Sequence, residues 1–200
     1  LDRLRSELIA NVSHELRTPL GLIMLFCTTL LQQDVDLDRE TQREFLNDIK
    51  EEADRLEKIV NNLLDLSRMQ NGRLYLDRQP TDIAQLVRAT LASVRPQLTA
   101  HRLVYDFPPQ PLVTVADSKR VEQVLRNLVS NAVKYSPVGG EITIRGSSTE
   151  NEIMIQVSDQ GVGIPPQDLT RVFERFYRVA NEATQQVDGV GLGLAVCWGI

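Results

Sequence analysis

One apolar stripe constrains this chain more than any other feature, because the helix that carries it cannot bury it. Phe45, Ile49, Ala53, Leu56, Ile59, Leu63, Leu66 and Met69 recur at spacings of three and four, the period of a single helix face. The pattern ends at Asn71-Gly72, glycine being the usual residue just past a helix end. At 1.5 Å per residue, such a helix spans roughly 50 Å. A second stripe precedes it: Leu1, Leu4, Leu8, Val12 and Leu16 predict a first helix over residues 1 to about 31. Between them Gln32 to Asp38 form a polar turn, with Asp36 and Asp38 both candidates for the N-cap. Two long helices joined by a short turn make an antiparallel hairpin. Its stripes are most economically covered by a second copy of the chain, which gives a dimeric four-helix bundle.

After Gly72 the periodicity changes. Leu74 to Leu76 reads as a short strand, and Thr81 or Asp82 caps a helix running to about Leu98. Leu103 to Phe107 and Leu112 to Val115 read as strands, and Asp117 caps a helix that carries on to about Tyr135. Glu141 to Ser147 and Glu152 to Asp159 alternate apolar and polar residues around Ser148-Thr149-Glu150-Asn151, the pattern of a hairpin. Strands on one layer and helices on the other make a two-layer α+β sandwich. The expected organisation is therefore an all-α hairpin over 1–71 and an α+β domain over 72–200.

The chemistry begins in Ser13-His14-Glu15-Leu16-Arg17-Thr18-Pro19-Leu20. His14 stands two residues from both Val12 and Leu16, about 200° around the helix from each, so it faces solvent. Thr18 lies one turn beyond it on the same face. Glu15 is its neighbour and can bond the ring, which fixes the tautomer and makes the other nitrogen more basic. Pro19 removes a helical hydrogen bond, so the helix should loosen just past the histidine. A lone surface histidine is most often a residue without a role. Glu15, Thr18 and Pro19 together argue for an imidazole that acts as a nucleophile.

This run resembles the H-box of the two-component sensor histidine kinases, and the resemblance returns four times in the family's order. Arg126 to Tyr135 resembles the N-box, Asp159-Gln160-Gly161-Val162-Gly163-Ile164-Pro165 the G1 box, Phe173 to Arg178 the F-box, and Gly189-Val190-Gly191-Leu192-Gly193-Leu194 the G2 box. The resemblance covers nearly the whole chain. It implies a dimerisation and histidine-phosphotransfer hairpin joined to an ATP-binding domain of the Bergerat type shared with gyrase, Hsp90 and MutL. It further implies ATP and Mg2+, transfer of the γ-phosphoryl group to His14, and onward transfer to an aspartate of a response-regulator receiver domain. Thr18 resembles the position that places water when the regulator is dephosphorylated.

Residue by residue, the N-box places Asn127 and Asn131 one turn apart beside Lys134 and Tyr135. Magnesium takes few protein ligands besides water and phosphate oxygens, so neutral amides at Asn131 and Asn127 suit it. Lys134 meets phosphate as a point charge. Taken alone, two asparagines on a helix are usually a solvated face. Asp159 in the G1 box can accept a hydrogen bond from the exocyclic amine of adenine, where guanine presents an acceptor, so the carboxylate selects ATP. Gly161 and Gly163 let the backbone turn and approach the base. Arg178 can reach the terminal phosphate, while Arg175 reads equally well as structural. Gly189, Gly191 and Gly193 open a helix whose N-terminus favours phosphate, and Val179 to Asp188 is expected to form a lid over the nucleotide.

Composition narrows the rest. The net charge of −5 argues against a general nucleic-acid binder. Cys27 and Cys197, far apart and in apolar surroundings, read as buried free thiols of a reducing compartment. No apolar run has the length of a membrane span, which fits a cytoplasmic portion of a sensor whose parent protein is membrane-anchored. The start at Leu1, without Met and in mid-pattern, reads as a piece of a longer protein. The stop at Ile200 comes before the final strands usual in the resembling family, and Trp198 stands where that family favours small or polar residues. Two other classes of function compete. A scaffold that binds ATP without using it would leave His14 unphosphorylated. An ATP-driven machine of the gyrase or Hsp90 kind would need a carboxylate just upstream of Asn131, where this chain has Asn127 and Ser130.

Overall fold

The computed structural model describes residues 2–32, 37–95, 98, 100–179 and 189–200, with side chains of the first helix described at residue 10 and from residue 12 on. Two compact units divide the chain at Asn71–Gly72. Among the described residues, no helix is long and apolar enough to cross a membrane.

The first unit is a hairpin of α1 (Asp2–Leu31) and α2 (Arg39–Gln70). Asp38 is the N-cap of α2, its carboxylate accepting the Thr41 N–H at 2.7 Å. That hydrogen bond lowers the carboxyl's pKa from its ordinary value. Asp36, the other candidate, lies outside the described residues, as do the side chains of Leu1, Leu4 and Leu8. Asn71 caps the far end, with its N–H and its side-chain amide both on the Ser67 carbonyl, and Gly72 follows at φ +62°. Phe26 and Phe45 pack with ring centroids 5.3 Å apart and so pin the two helices to each other.

A hairpin of two helices buries little. Among its described side chains only Pro19, Ile59, Asp65 and Leu66 are buried. Leu20, Met24 and Leu31 on α1 are at least half exposed. On α2, Leu46, Ala53, Val60 and Leu64 are exposed as well. Their spacing of seven, seven and four draws a second apolar line along α2, the seam geometry of helix bundles.

Among its described residues, the second unit contains two sheets and three α-helices. Strand β1 (Gln79–Asp82) pairs antiparallel with β3 (Val113–Ala116), Gln79 opposite Ala116 and Asp82 opposite Val113. A mixed sheet has the order β2-β4-β5, with β2 (His101–Asp106) parallel to β4 (Gly140–Ser148) and β5 (Ile153–Ser158) antiparallel to β4. Helices α3 (Ile83–Val94) and α4 (Ser118–Lys134) are each opened by an aspartate. Asp82 accepts the N–H of Ala84 and Gln85, and Asp117 accepts those of Lys119 and Arg120. The short α5 (Gly193–Gly199) follows the last glycine-rich segment.

The core lies between α3, α4 and the sheet. Ile83, Val87, Leu91 and Val94 from α3 meet Leu125, Val129 and Ala132 from α4 over Ile142 and Ile144 of β4. Each of those Val, Leu and Ile side chains contributes roughly 1.5–3 kcal/mol by leaving water.

Three sequence expectations require correction. The strand predicted at Leu74–Leu76 does not form. Leu74 and Leu76 turn inward around an exposed Tyr75, as in a strand, but without a backbone ladder. The Asp77 N–H instead meets the Asp117 carboxylate at 2.9 Å. Pairing starts at Gln79 and runs through Pro80, which only an edge strand tolerates. The helix carried to about Leu98 ends at Val94, because Pro96 has no N–H for its ladder. Neither cysteine is in a disulfide, as expected, but both are half-buried rather than buried.

Candidate functional site

The hairpin presents the candidate nucleophile on α1. His14 is exposed, Glu15 half-buried and Thr18 exposed. The Thr18 hydroxyl donates to the His14 carbonyl at 3.3 Å. Pro19 leaves the Glu15 carbonyl without its helical donor, and its ring is among the most deeply buried side chains. The turn bearing the histidine is thus anchored by Pro19 and tied by Thr18, while the imidazole stays in solvent. Adjacency does not bring Glu15 onto the ring: among the described residues its carboxylate makes no hydrogen bond to His14. Successive helical side chains diverge by about 100°, which accounts for the separation.

The other predicted residues gather in the second unit, where the end of α4, the turn after β5 and the start of α5 meet. Asn127 is buried, with 5% of its surface exposed, and Asn131 is half-buried one turn later. The Nδ2 of Asn127 is a buried donor without a hydrogen-bond partner among the described residues. Its Oδ1 lies 3.6 Å from where a Cβ on Gly193 would stand, so the opening of α5 packs on this amide. Lys134 is exposed and Tyr135 half-buried, the latter closing α4 with its N–H on the Asn131 carbonyl.

Asp159 follows β5 directly and is exposed. Its carboxylate accepts the Gly161 N–H at 2.8 Å, a two-residue Asx turn that sets its direction. Gly161 must be glycine, since a Cβ there would stand 2.3 Å from the Tyr135 carbonyl oxygen. The next N–H, of Val162, donates to that same carbonyl at 3.0 Å. The G1-like turn is therefore stitched to the end of the N-box-like helix by backbone alone.

A second stitch joins the F-box-like and G2-like segments. Phe176 sits at φ +62°, a conformation a bulky residue adopts only when its surroundings impose it. Its N–H donates to the Gly191 carbonyl at 2.9 Å. Gly191 is itself at φ +70°, and a Cβ on it would come within 2.8 Å of the Phe176 and Tyr177 backbone. The Tyr177 hydroxyl donates to buried Asp168 at 2.5 Å, and the Arg171 guanidinium stands 4.1 Å over the Tyr177 ring. The bond to Asp168, helped by burial, raises the Tyr177 pKa. Sequence reasoning missed the Asp168–Tyr177 clasp, because the pair stands nine positions apart across a stretch without a regular period. Phe173 packs on Trp198 with centroids 5.1 Å apart, a neighbour for the residue that the sequence left unexplained.

Gly163 and Gly189 lie in the same loops, and Arg178 is exposed. Most of the lid expected over Val179–Asp188 falls outside the described residues. Among those described, no cluster of three or more His, Cys, Asp or Glu could hold a metal. A magnesium ion here fits only amide oxygens completed by phosphate and water, and the half-buried Asn131 suits that better than Asn127, whose unsatisfied atom is a donor. The orphaned Asn127 amide fits a phosphate-bearing ligand.

Two family models match the chain. The His Kinase A (phospho-acceptor) domain matches residues 4–72, and the histidine kinase-, DNA gyrase B- and HSP90-like ATPase matches residues 116–199. The sensor histidine kinase WalK of Bacillus subtilis (strain 168) is 35% identical over 98% of this chain, which covers 32% of WalK. The Acinetobacter baumannii histidine kinase AdeS superposes with a TM-score of 0.68 at 26% identity, over 93% of this chain and 84% of that one. The histidine kinase ThkA, solved in complex with the response regulator TrrA, gives 0.68 at 26% identity, over 98% of this chain and 55% of that one. The chain spans about a third of the length of the first curated relatives it matches.

Proposed function

This chain belongs to the sensor histidine kinases of two-component systems, and on that premise we propose that it moves the γ-phosphoryl group of ATP to His14 and from there to an aspartate of a response-regulator receiver domain. The observation that carries the reading is the pairing of an exposed histidine on the phospho-acceptor helix with a separate unit whose buried amide and glycine turns suit a nucleotide.

In this reading Asp159, aimed by the Gly161 N–H, accepts the exocyclic amine of adenine, and the Tyr135 ring lies against the base. Gly161 and Gly163 keep the backbone close to the base. Asn127 donates its free Nδ2 hydrogens to phosphate oxygen, Lys134 and Arg178 supply positive charge, and the backbone of Gly189, Gly191 and Gly193 lines the phosphates. Asn131 is the main metal ligand, with Asn127 beside it. Magnesium bound with the nucleotide neutralises phosphate charge. Glu15, which makes no hydrogen bond to His14 at rest, turns onto the ring and takes up its proton as the nitrogen attacks. Thr18 places water for dephosphorylation of the regulator, which adds a phosphatase activity. The exposed apolar lines of α1 and α2 pack against a second copy in a four-helix bundle. The domain works in the cytoplasm, in a parent protein anchored to the membrane.

Incubation with γ-labelled ATP and magnesium tests the assignment. Acid-labile, base-stable label should appear on the chain and vanish in His14→Gln. Label that survives the substitution would falsify the choice of His14.

A further inference from the structure

The G1-like and G2-like glycines lie on either side of a stretch that no ladder holds. Among the described residues between β5 and α5, regular structure amounts to two single 3₁₀ turns, Pro166–Asp168 and Arg171–Phe173. A side-chain bond supplies the tie there. Asp168 is 8% exposed, and its Oδ1 accepts the Tyr177 hydroxyl at 2.5 Å. The Asp168 N–H donates to the Pro165 carbonyl at 2.9 Å, so the acceptor is anchored directly behind the G1-like run. The hydroxyl bond raises the Tyr177 pKa above its ordinary value, so the donor keeps its hydrogen through the physiological range.

From Tyr177 the tie continues through one peptide to Phe176, at φ +62°. A bulky residue keeps that left-handed conformation only where its surroundings over-determine it. Three contacts hold Tyr177: its N–H on the Glu174 carbonyl at 3.3 Å, the Arg171 guanidinium over its ring, and its hydroxyl on Asp168. Of these three, the hydroxyl bond is the one that reaches outside residues 171–178. The Phe176 N–H in turn donates to the Gly191 carbonyl at 2.9 Å. A Cβ on Gly191 would stand 2.8 Å from both the Phe176 carbonyl carbon and the Tyr177 carbonyl oxygen. The two backbones are therefore in direct contact, and a shift of Tyr177 is passed to Gly191.

We propose that Tyr177, through its bond to Asp168, is a positioning residue for the phosphate end of the nucleotide site: it holds Phe176 in the left-handed conformation and thereby keeps the Gly191 turn in its ligand-ready shape. The inference rests on the reading that this unit binds ATP with its phosphates along Gly189, Gly191 and Gly193. Tyr177 itself touches no part of the nucleotide. Without its hydroxyl, Phe176 relaxes toward negative φ and its N–H leaves the Gly191 carbonyl. The turn must then be ordered anew at each binding event, which weakens affinity.

Amide hydrogen exchange by NMR on the ligand-free whole chain reads the tie directly, because the Phe176 N–H is the donor to Gly191. In Tyr177→Phe that amide should exchange about fivefold to tenfold faster, the span of one ordinary hydrogen bond. The amides of Ile142 and Ile144 in β4 should keep their wild-type rates, whereas a merely structural role would speed them as well. Affinity for ATP, measured by calorimetry, should fall by the same factor as the Phe176 exchange rises. Asp168→Asn, which keeps an acceptor for the hydroxyl, should stay near wild type in both measurements. If Tyr177→Phe does not fold, Asp168→Ala, which removes the acceptor instead, should show both changes. A wild-type exchange rate at Phe176, equal acceleration across β4, or unchanged ATP affinity would overturn the proposal. Absence of ATP binding in wild type would instead overturn the nucleotide reading beneath it and leave the exchange result intact.

Discussion

The hairpin and the α+β unit solve the burial problem in opposite ways. Every residue of the main core cluster lies after Gly72, and Val87, Ile142 and Ile144 are fully buried. In the hairpin, among the described residues, the buried apolar side chains are Pro19, Ile59 and Leu66. The second unit closes its own core between α3, α4 and the mixed sheet. The first leaves Met24 62% and Leu46 58% exposed on long helices, surface that water penalises unless another molecule covers it. The difference matches the chemistry proposed for each. A nucleotide pocket needs a rigid, desolvated shell, and a phospho-acceptor that serves two protein partners needs an imidazole in the open.

Removing core from the self-sufficient unit should have the largest effect. Leu125 is 1% exposed, and Leu125→Ala should cost about 2–5 kcal/mol. Thermal melting should show a second-unit transition that falls while the hairpin transition stays in place. A shift of both together would mean that the two units share their stability.

The hairpin should respond to concentration instead. Its melting temperature should rise with protein concentration, as for any fold completed by association. Val60 lies on the exposed line of α2 at 45% exposure. Val60→Glu should be nearly neutral in an isolated hairpin but should weaken a dimer at least about tenfold, or about 1.4 kcal/mol. Analytical ultracentrifugation separates the cases, and a concentration-independent monomer would break the contrast between the units.

A smaller effect sits at Asp117, the N-cap of α4. Burial pulls its carboxyl upward, but the N–H groups of Asp77, Arg120 and Lys119 outweigh that and hold its pKa below the ordinary value. A depressed folded pKa stabilises above the unfolded value near 3.9 and is lost as pH falls through the folded one. Asp117→Ala should cost about 1 kcal/mol near neutral pH. Asp117→Asn, which keeps a cap without a charge, should flatten the loss of stability below about pH 4. A variant whose acid melting curve matches wild type would remove Asp117 from the account.

Much of this was legible in the sequence, for reasons that differ by region. The helices of the hairpin follow from a 3.6-residue period sustained over many turns, and the cap at Asp117 follows from side-chain chemistry that acts within three residues, whereas the sequence offered pairs at the other two helices, from which the fold takes Asp38 and Asp82. The hairpin of β4 and β5 announces itself by alternation around a polar turn. What was hidden depends on partners distant in the chain. Leu74–Leu76 has the pattern of a strand, but β3 pairs farther along, and a pattern cannot choose a partner. The missing contact between His14 and Glu15 reflects helix geometry, which adjacency in sequence conceals.

The most direct test of the account measures nucleotide binding and His14 labelling side by side in wild type, His14→Gln and Asn131→Asp. Wild type should bind ATP by calorimetry and acquire phosphate that peptide mapping places on His14. His14→Gln should bind ATP as wild type does and acquire none, and Asn131→Asp should lose both, because its added negative charge repels phosphate and alters metal coordination. Phosphate mapped to another residue in wild type, or undiminished labelling in Asn131→Asp, would contradict the division of work between an exposed histidine and a separate nucleotide unit.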